Sequence, residues 1–187
     1  SLYQLEDYSA AAEQFRAATE ATETLTAPWT SIVPLRQAHI LAAQGEWSEA
    51  LAAAESLLEE PSLVDRRFEA EFVVGRSLLA LARLDEARGI FQRVVDHPEG
   101  SASETAAMAQ CMIGETYRHQ RKYREAVAAY FRVEMLFEHE RWRAAALLEA
   151  AACLELLEER QEAGRVYEQL IAQFPHSEQE PVAQQRL

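Results

Sequence analysis

One spacing restricts this chain more than anything in its composition. Ala11, Ala50, Ala87, Ala126 and Ala163 follow one another at intervals of 39, 37, 39 and 37 residues. Each sits in the same local pattern. A bulky residue stands three positions before it (Tyr8, Trp47, Leu84, Tyr123, Arg160), and an aromatic usually stands four positions after it (Phe15, Phe91, Tyr130, Tyr167, with Ala54 the exception). Twelve positions before four of these alanines lies another small residue: Ala38, Gly75, Gly114 and Ala151. Three positions after those come Leu41, Leu78, Tyr117 and Leu154. A repeat of this length is one supersecondary unit that buries its apolar face only by stacking on its neighbours.

Within each unit apolar positions recur at three and four residues, the helical period. The unit therefore reads as two helices, A and B, with the small residues allowing close approach between them. Short connections separate A from B: Gln44-Gly45-Glu46, Arg83-Leu84-Asp85, Gln120-Arg121-Lys122 and Glu158-Glu159-Arg160. Pro61, Pro98 and Pro175 mark the loops between units. The serines behind them are expected to cap the next helix: Ser62 with Asp65, Ser101 with Glu104 and Ser177 with Glu180, the last two as Ser-x-x-Glu capping boxes. Pro34 falls in the first turn of its A helix, where the missing amide proton has no intrahelical partner to lose.

These residues resemble the tetratricopeptide repeat family over nearly the whole chain. Gly114, Tyr117, Ala126 and Tyr130 match the family's small, aromatic, small, aromatic positions; Ala151, Leu154, Ala163, Tyr167 and Pro175 match them again. Three features depart from the pattern. Ala54 replaces an aromatic; Leu57, Val94, Val133 and Leu170 replace a smaller residue; and the spacing exceeds the family's period of about 34. Loops such as Phe174-Pro175-His176-Ser177 also resemble those of long-period bacterial envelope proteins, the outer-membrane assembly lipoproteins and the Tol–Pal partners. The resemblance implies an all-α, right-handed superhelical solenoid. Its parts are a partial repeat over 1–27, repeats over about 28–61, 62–98, 99–141 and 142–175, and the start of a further helix over 176–187. Both ends fall in mid-pattern, so the expectation is a piece of a longer protein.

Charge and chemistry narrow the function classes. The chain carries 18 basic and 31 acidic residues, a net charge of −13. That is the wrong sign for a main partner with a phosphate backbone or an anionic membrane surface. No apolar run approaches the roughly 20 residues of a membrane span. The six glycines are scattered, without a phosphate loop or a nucleophile elbow. Cys111 and Cys153 read as buried core thiols. Glu138-His139-Glu140 combines metal-ligand types, but consecutive helical residues point in different directions. No enzyme activity, cofactor or metal is expected.

Binding is what such an array can do. The resemblance implies a concave wall of A helices lined by Leu35 and His39, Phe72 and Arg76, then Glu115, Arg118 and His119, and finally Leu148 and Glu155. It is a mixed wall, suited to a peptide or helix with apolar anchors rather than to a carboxylate clamp of Lys and Asn. A second candidate surface is a stripe on the fourth B helix, Val127, Phe131 and Met135 at i, i+4 and i+8. Two readings stay open for it: packing inside its own array, or an exposed convex patch for a partner or a second copy. The function expected is a non-catalytic interaction scaffold for a protein or peptide partner, with homo-oligomerisation possible. The alternatives are a recruiting segment of a larger enzyme or transcription regulator, or a self-assembling rod. Location leans to the bacterial envelope, with the cytoplasm as the alternative.

Overall fold

The computed structural model describes residues 17, 32–60, 66–98 and 100–187. Apart from Ala17, the first repeat lies outside the described residues, as does Ser62 with Asp65. The described residues hold helices and turns and no strand. The chain divides into two compact units, Ser1–Arg93 and Val94–Leu187, with the division falling inside one helix.

Unit 1 contains α1 (Ile32–Gln44), α2 (Trp47–Leu58), α3 (Arg67–Ala80) and most of α4 (Leu84–Asp96). Pro34 is the third residue of α1, where it breaks no helical hydrogen bond. The core is built on small-against-large packing. A Cβ added at Gly75 on α3 would lie 2.6 Å from the Phe91 ring of α4, so the aromatic rests directly on the glycine backbone. The Phe72 ring meets the same Phe91 at 5.9 Å, tilted by 54°, an arrangement favoured by the ring quadrupoles. Glu71 is buried on α3, with Arg67 at 3.7 Å and Arg93 at 3.2 Å.

Unit 2 contains the end of α4, then α5 (Glu104–His119), α6 (Tyr123–Leu136), α7 (Glu140–Leu156), α8 (Arg160–Gln173) and the short α9 (Glu180–Arg186). A Cβ at Gly114 would lie 2.5 Å from the Tyr130 ring, repeating the Gly75–Phe91 contact. Gln110, fully buried on α5, donates its side-chain amide to the Ala129 carbonyl of α6 at 2.9 Å. Ala144, Leu147, Ala151 and Leu154 of α7 form one core cluster with Ala163, Tyr167 and Leu170 of α8 and Ala183 of α9.

The A–B turns share one geometry. Gly45, Ala82, Arg121 and Glu158 all have positive φ, at 82°, 59°, 59° and 63°. Each stands five residues before one of the spaced alanines. At each turn the positive-φ residue donates its N–H to the carbonyl three back, and the next residue donates to the carbonyl five back. At the second turn these bonds are Ala82 to Leu79 at 3.0 Å and Arg83 to Leu78 at 2.9 Å. This is the Schellman motif, which satisfies the orphan carbonyls at a helix end. The carbonyls five back belong to Leu41, Leu78, Tyr117 and Leu154, the four residues that the repeat aligns. The second turn is Leu81–Arg83 and the fourth is Leu157–Glu159, earlier than the sequence reading placed them, because Leu84 and Arg160 already begin their B helices.

Capping differs from expectation. Ser103, not Ser101, caps α5: its Oγ accepts the Ala106 N–H at 3.1 Å. Ser101 instead lies next to the Pro98 carbonyl, with its Oγ donating at 3.4 Å. The hydroxyl that caps is the one immediately before the helix, and Glu104 is already inside it. At α9 the expected box does not form: the Ser177 Oγ is buried without a hydrogen-bond partner, and the Ser177 N–H goes to the Phe174 carbonyl at 3.2 Å. Glu180 accepts the His176 N–H at 2.5 Å, while the first residue before the helix is Gln179, without a side-chain cap.

Candidate functional site

In unit 2 the A helix α5 carries Glu115, Arg118 and His119, and the A helix α7 carries Leu148 and Glu155. Glu115 and Arg118 stand three apart on α5, so their side chains meet. The Arg118 guanidinium forks onto Glu115, with Nε to Oε2 at 2.9 Å and Nη2 to Oε1 at 2.5 Å. Tyr130 Oη donates to Glu115 Oε2 at 3.1 Å, and His119 Nε2 lies 3.0 Å from Oε1. Burial works to raise the Glu115 carboxyl, but Arg118, Tyr130 and His119 together hold it below the usual carboxylate range. The Glu115 hydrogen bond keeps Arg118 firmly charged.

Across from this pair, Glu149 on α7 points an oxygen towards Arg118 Nε at 3.9 Å, beyond hydrogen-bond reach. Burial, joined by the Glu115 charge, pushes the Glu149 carboxyl upward in spite of Arg118. One period further on, the same arrangement recurs with the signs exchanged. Glu155 of α7 accepts from Arg186 Nη1 of α9 at 2.9 Å. Both pairs are separated by 31 residues in the chain. Neither Glu149 nor Arg186 was singled out from the sequence, though this shared separation would have exposed them.

The remaining expected residues divide. Leu35 and Phe72, expected on the wall, are core residues, 0% and 3% exposed; apolar A-helix positions of this size are drawn into the packing of their own unit. His39 and Arg76 of unit 1 are half-buried. Burial, with the charges of Arg36 and Arg76, lowers the His39 pKa to about 4, so the ring is neutral at pH 7. The Arg76 guanidinium lies over the Trp47 ring at 5.8 Å. Leu148 is half-buried against the α7–α8 core cluster. The α6 stripe splits: Val127 and Phe131 pack against the same cluster, whereas Met135 is 75% exposed and adjoins Leu136 at 57%. The stripe is therefore neither wholly internal nor wholly a surface patch.

Burial pushes the Cys111 thiol up to about 12 and the Cys153 thiol up to about 11, with Glu149 adding to both. Such thiols stay protonated and are poor nucleophiles. His139 Nε2 lies 3.1 Å from the Ala102 carbonyl oxygen. Among the described residues, no group of three or more His, Cys, Asp or Glu is placed to hold a metal ion, and no helix is long and apolar enough to cross a membrane.

Residues 145–177 match the family model described as Tetratricopeptide repeat. Solved structures extend the likeness. The nearly identical TPR-like repeats of a Podosopora anserina protein assigned as a kinesin light chain superpose with a TM-score of 0.69 at 20% identity, over 91% of this chain and 89% of that one. The chain folds as tetratricopeptide-like repeats. A tetratricopeptide repeat protein from Parabacteroides merdae ATCC 43184 gives 0.66 at 17% identity, over 99% of this chain and 69% of that one. MamA from Desulfovibrio magneticus RS-1 gives 0.62 at 15%, over 86% and 93%. No curated protein sequence matches the chain. In tetratricopeptide-like terms, Glu115, Arg118, Glu149 and Glu155 are all A-helix residues, and Tyr130 is the B-helix aromatic that reaches Glu115.

Proposed function

We propose that this chain is a non-catalytic scaffold that binds a peptide or helix of a protein partner on its A-helix face. The observation that carries the proposal is the state of that face in unit 2. Arg118 and Glu149 keep 39% and 45% of their side chains exposed although both sit among half-buried neighbours. Charge held half in and half out of water, with apolar surface beside it, suits a reversible protein contact. Peptides selected from a random display library on the purified chain provide the test. Ala152→Arg places a bulky cation on the half-exposed face of α7 and should weaken their binding by about tenfold or more, while Arg83→Glu, in an A–B turn, should not. Peptides that bind both variants as well as wild type would move the site off this face. The loop Phe174-Pro175-His176-Ser177 supports a bacterial envelope setting, checked by fractionating cells that express the full-length reading frame.

A further inference from the structure

Among the described wall residues, Glu149 is the carboxylate whose charge its neighbours answer least. Glu115 takes both nitrogens of the Arg118 fork, a phenol hydroxyl and the His119 ring. Glu155 takes Arg186. Glu149 keeps only the 3.9 Å approach to an arginine already committed elsewhere. Along α7 its neighbours on the same face are apolar. Ala145, Glu149, Ala152 and Leu156 stand at i, i+4, i+7 and i+11 of α7, one face of the helix. The alanines are half-exposed, and Leu156 is exposed. Leu148 is half-buried beside this row, and Met108 is half-buried on α5. Two alanines in the row let a partner's backbone come close, and the carboxylate lies in the middle of the shallow apolar strip they form.

We propose that the α5–α7 wall of unit 2 selects a partner segment that sets one lysine or arginine beside Glu149, with apolar side chains packed over Ala145, Ala152 and Leu156. The inference rests on the reading that the A-helix face binds a protein partner, and it names the chemistry that the partner must bring. A cation there completes the Glu149–Arg118–Glu115 row as alternating charge, with two carboxylates shared between two cations. An acidic residue in the same place would face Glu149 and Glu115 together, and like charges brought together on a half-desolvated face strongly disfavour a complex. A neutral residue would leave the carboxylate to lose water with nothing in exchange. Burial, joined by the Glu115 charge, pushes the Glu149 carboxyl upward in spite of Arg118, which agrees with a carboxylate whose nearest cation is already shared.

The experiment uses peptides selected from a random display library on the purified chain, synthesised and titrated against wild type, Glu149→Gln, Glu149→Lys and Ala152→Arg. Peptides displaced by Ala152→Arg should share a lysine or arginine. Replacing that residue by alanine, or Glu149 by glutamine, should each weaken binding by about tenfold. Glu149→Lys should weaken it further, and a peptide with glutamate at the shared position should recover binding to Glu149→Lys. Wall-bound peptides with no basic position, or equal binding to wild type and Glu149→Lys, would overturn the inference and leave the A-helix reading standing. An absence of binders, or binders indifferent to Ala152→Arg, would overturn both. Glu149→Gln keeps the size of the side chain, so a melting curve no lower than wild type ties any lost binding to the missing charge.

Discussion

Ala82, Arg121 and Glu158 hold the same left-handed conformation that Gly45 holds at the equivalent turn. For a residue with a Cβ that conformation costs about 1–2 kcal/mol, and part of the gain from replacing it with glycine is lost to the freer unfolded chain. Ala82→Gly should therefore stabilise the protein by about 0.5–1 kcal/mol, a rise in melting temperature of about 1–4 °C for a chain of this size, read by thermal circular dichroism. His39 gives a pH dependence. Its folded pKa is lowered to about 4, from about 6.5 in the unfolded chain. The unfolded state then binds the proton more readily, so the stability from keeping the ring neutral is full above about pH 6.5 and is lost as pH falls towards 4. The loss approaches about 3 kcal/mol. His39→Gln should remove this part of the acid sensitivity, seen as a smaller difference between urea midpoints at pH 7 and pH 4 than in wild type. An equal difference in both proteins would mean that burial, with the Arg36 and Arg76 charges, does not hold the ring neutral.

Helix pairing depends on contacts that are simple in sequence and strict in space. Gly75 under Phe91 and Gly114 under Tyr130 leave no room for a side chain. Gly114→Leu should cost about 1–3 kcal/mol by overpacking, or more if the aromatic is expelled; an unchanged melt would refute the pairing of α5 with α6. The α6 stripe gives a paired test on one helix. Phe131→Glu puts a charge against the α7–α8 core cluster and should cost several kcal/mol. Met135→Glu, four residues along, should change stability by less than about 0.5 kcal/mol. If Met135 and Leu136 hold two copies together, Met135→Glu should also lower the mass seen by light scattering. The sequence could align these positions but not divide them, because i, i+4 and i+8 share a helical face whatever that face meets. Only the packing of α6 on its neighbours ends the buried part of the stripe between Phe131 and Met135. Ser103 is a similar case. Two serines precede α5, and the local pattern favoured Ser101; the position of the first helical residue decides which hydroxyl reaches the Ala106 N–H.

At the scale of the molecule, stability in repeat arrays is a sum of local terms carried by nearest neighbours. The two units each have their own core of small-on-aromatic pairs. A defect in one core should therefore be felt first within its own unit. Gly75→Leu is expected to lower hydrogen-exchange protection across α3 more than across α7, by mass spectrometry of peptic peptides. Uniform loss over both helices would indicate a single cooperative core.

The sequence by itself determined the periodic part of this protein. The alanine spacing, the small residues twelve positions earlier and the helical period of the apolar positions sufficed for helix pairs, because each of these rules acts within one unit or between sequence neighbours. They also located the A–B turns to within a few residues. The wall was legible only in part. Glu115, Arg118, His119 and Glu155 follow from repeat position and are half-exposed or exposed, whereas Leu35 and Phe72, at the repeat position of the half-buried Leu148, are buried. Register fixes the direction in which a side chain leaves its helix, but not how closely the next helix approaches. The tertiary structure alone decided the charge pattern: Arg118 bound to Glu115, Tyr130 reaching the same carboxylate from another helix, and Glu149 left with a distant cation. The physical reason is that a hydrogen bond forms or fails over less than an ångström, a distance set by the packing of whole helices and not by the spacing of residues along them.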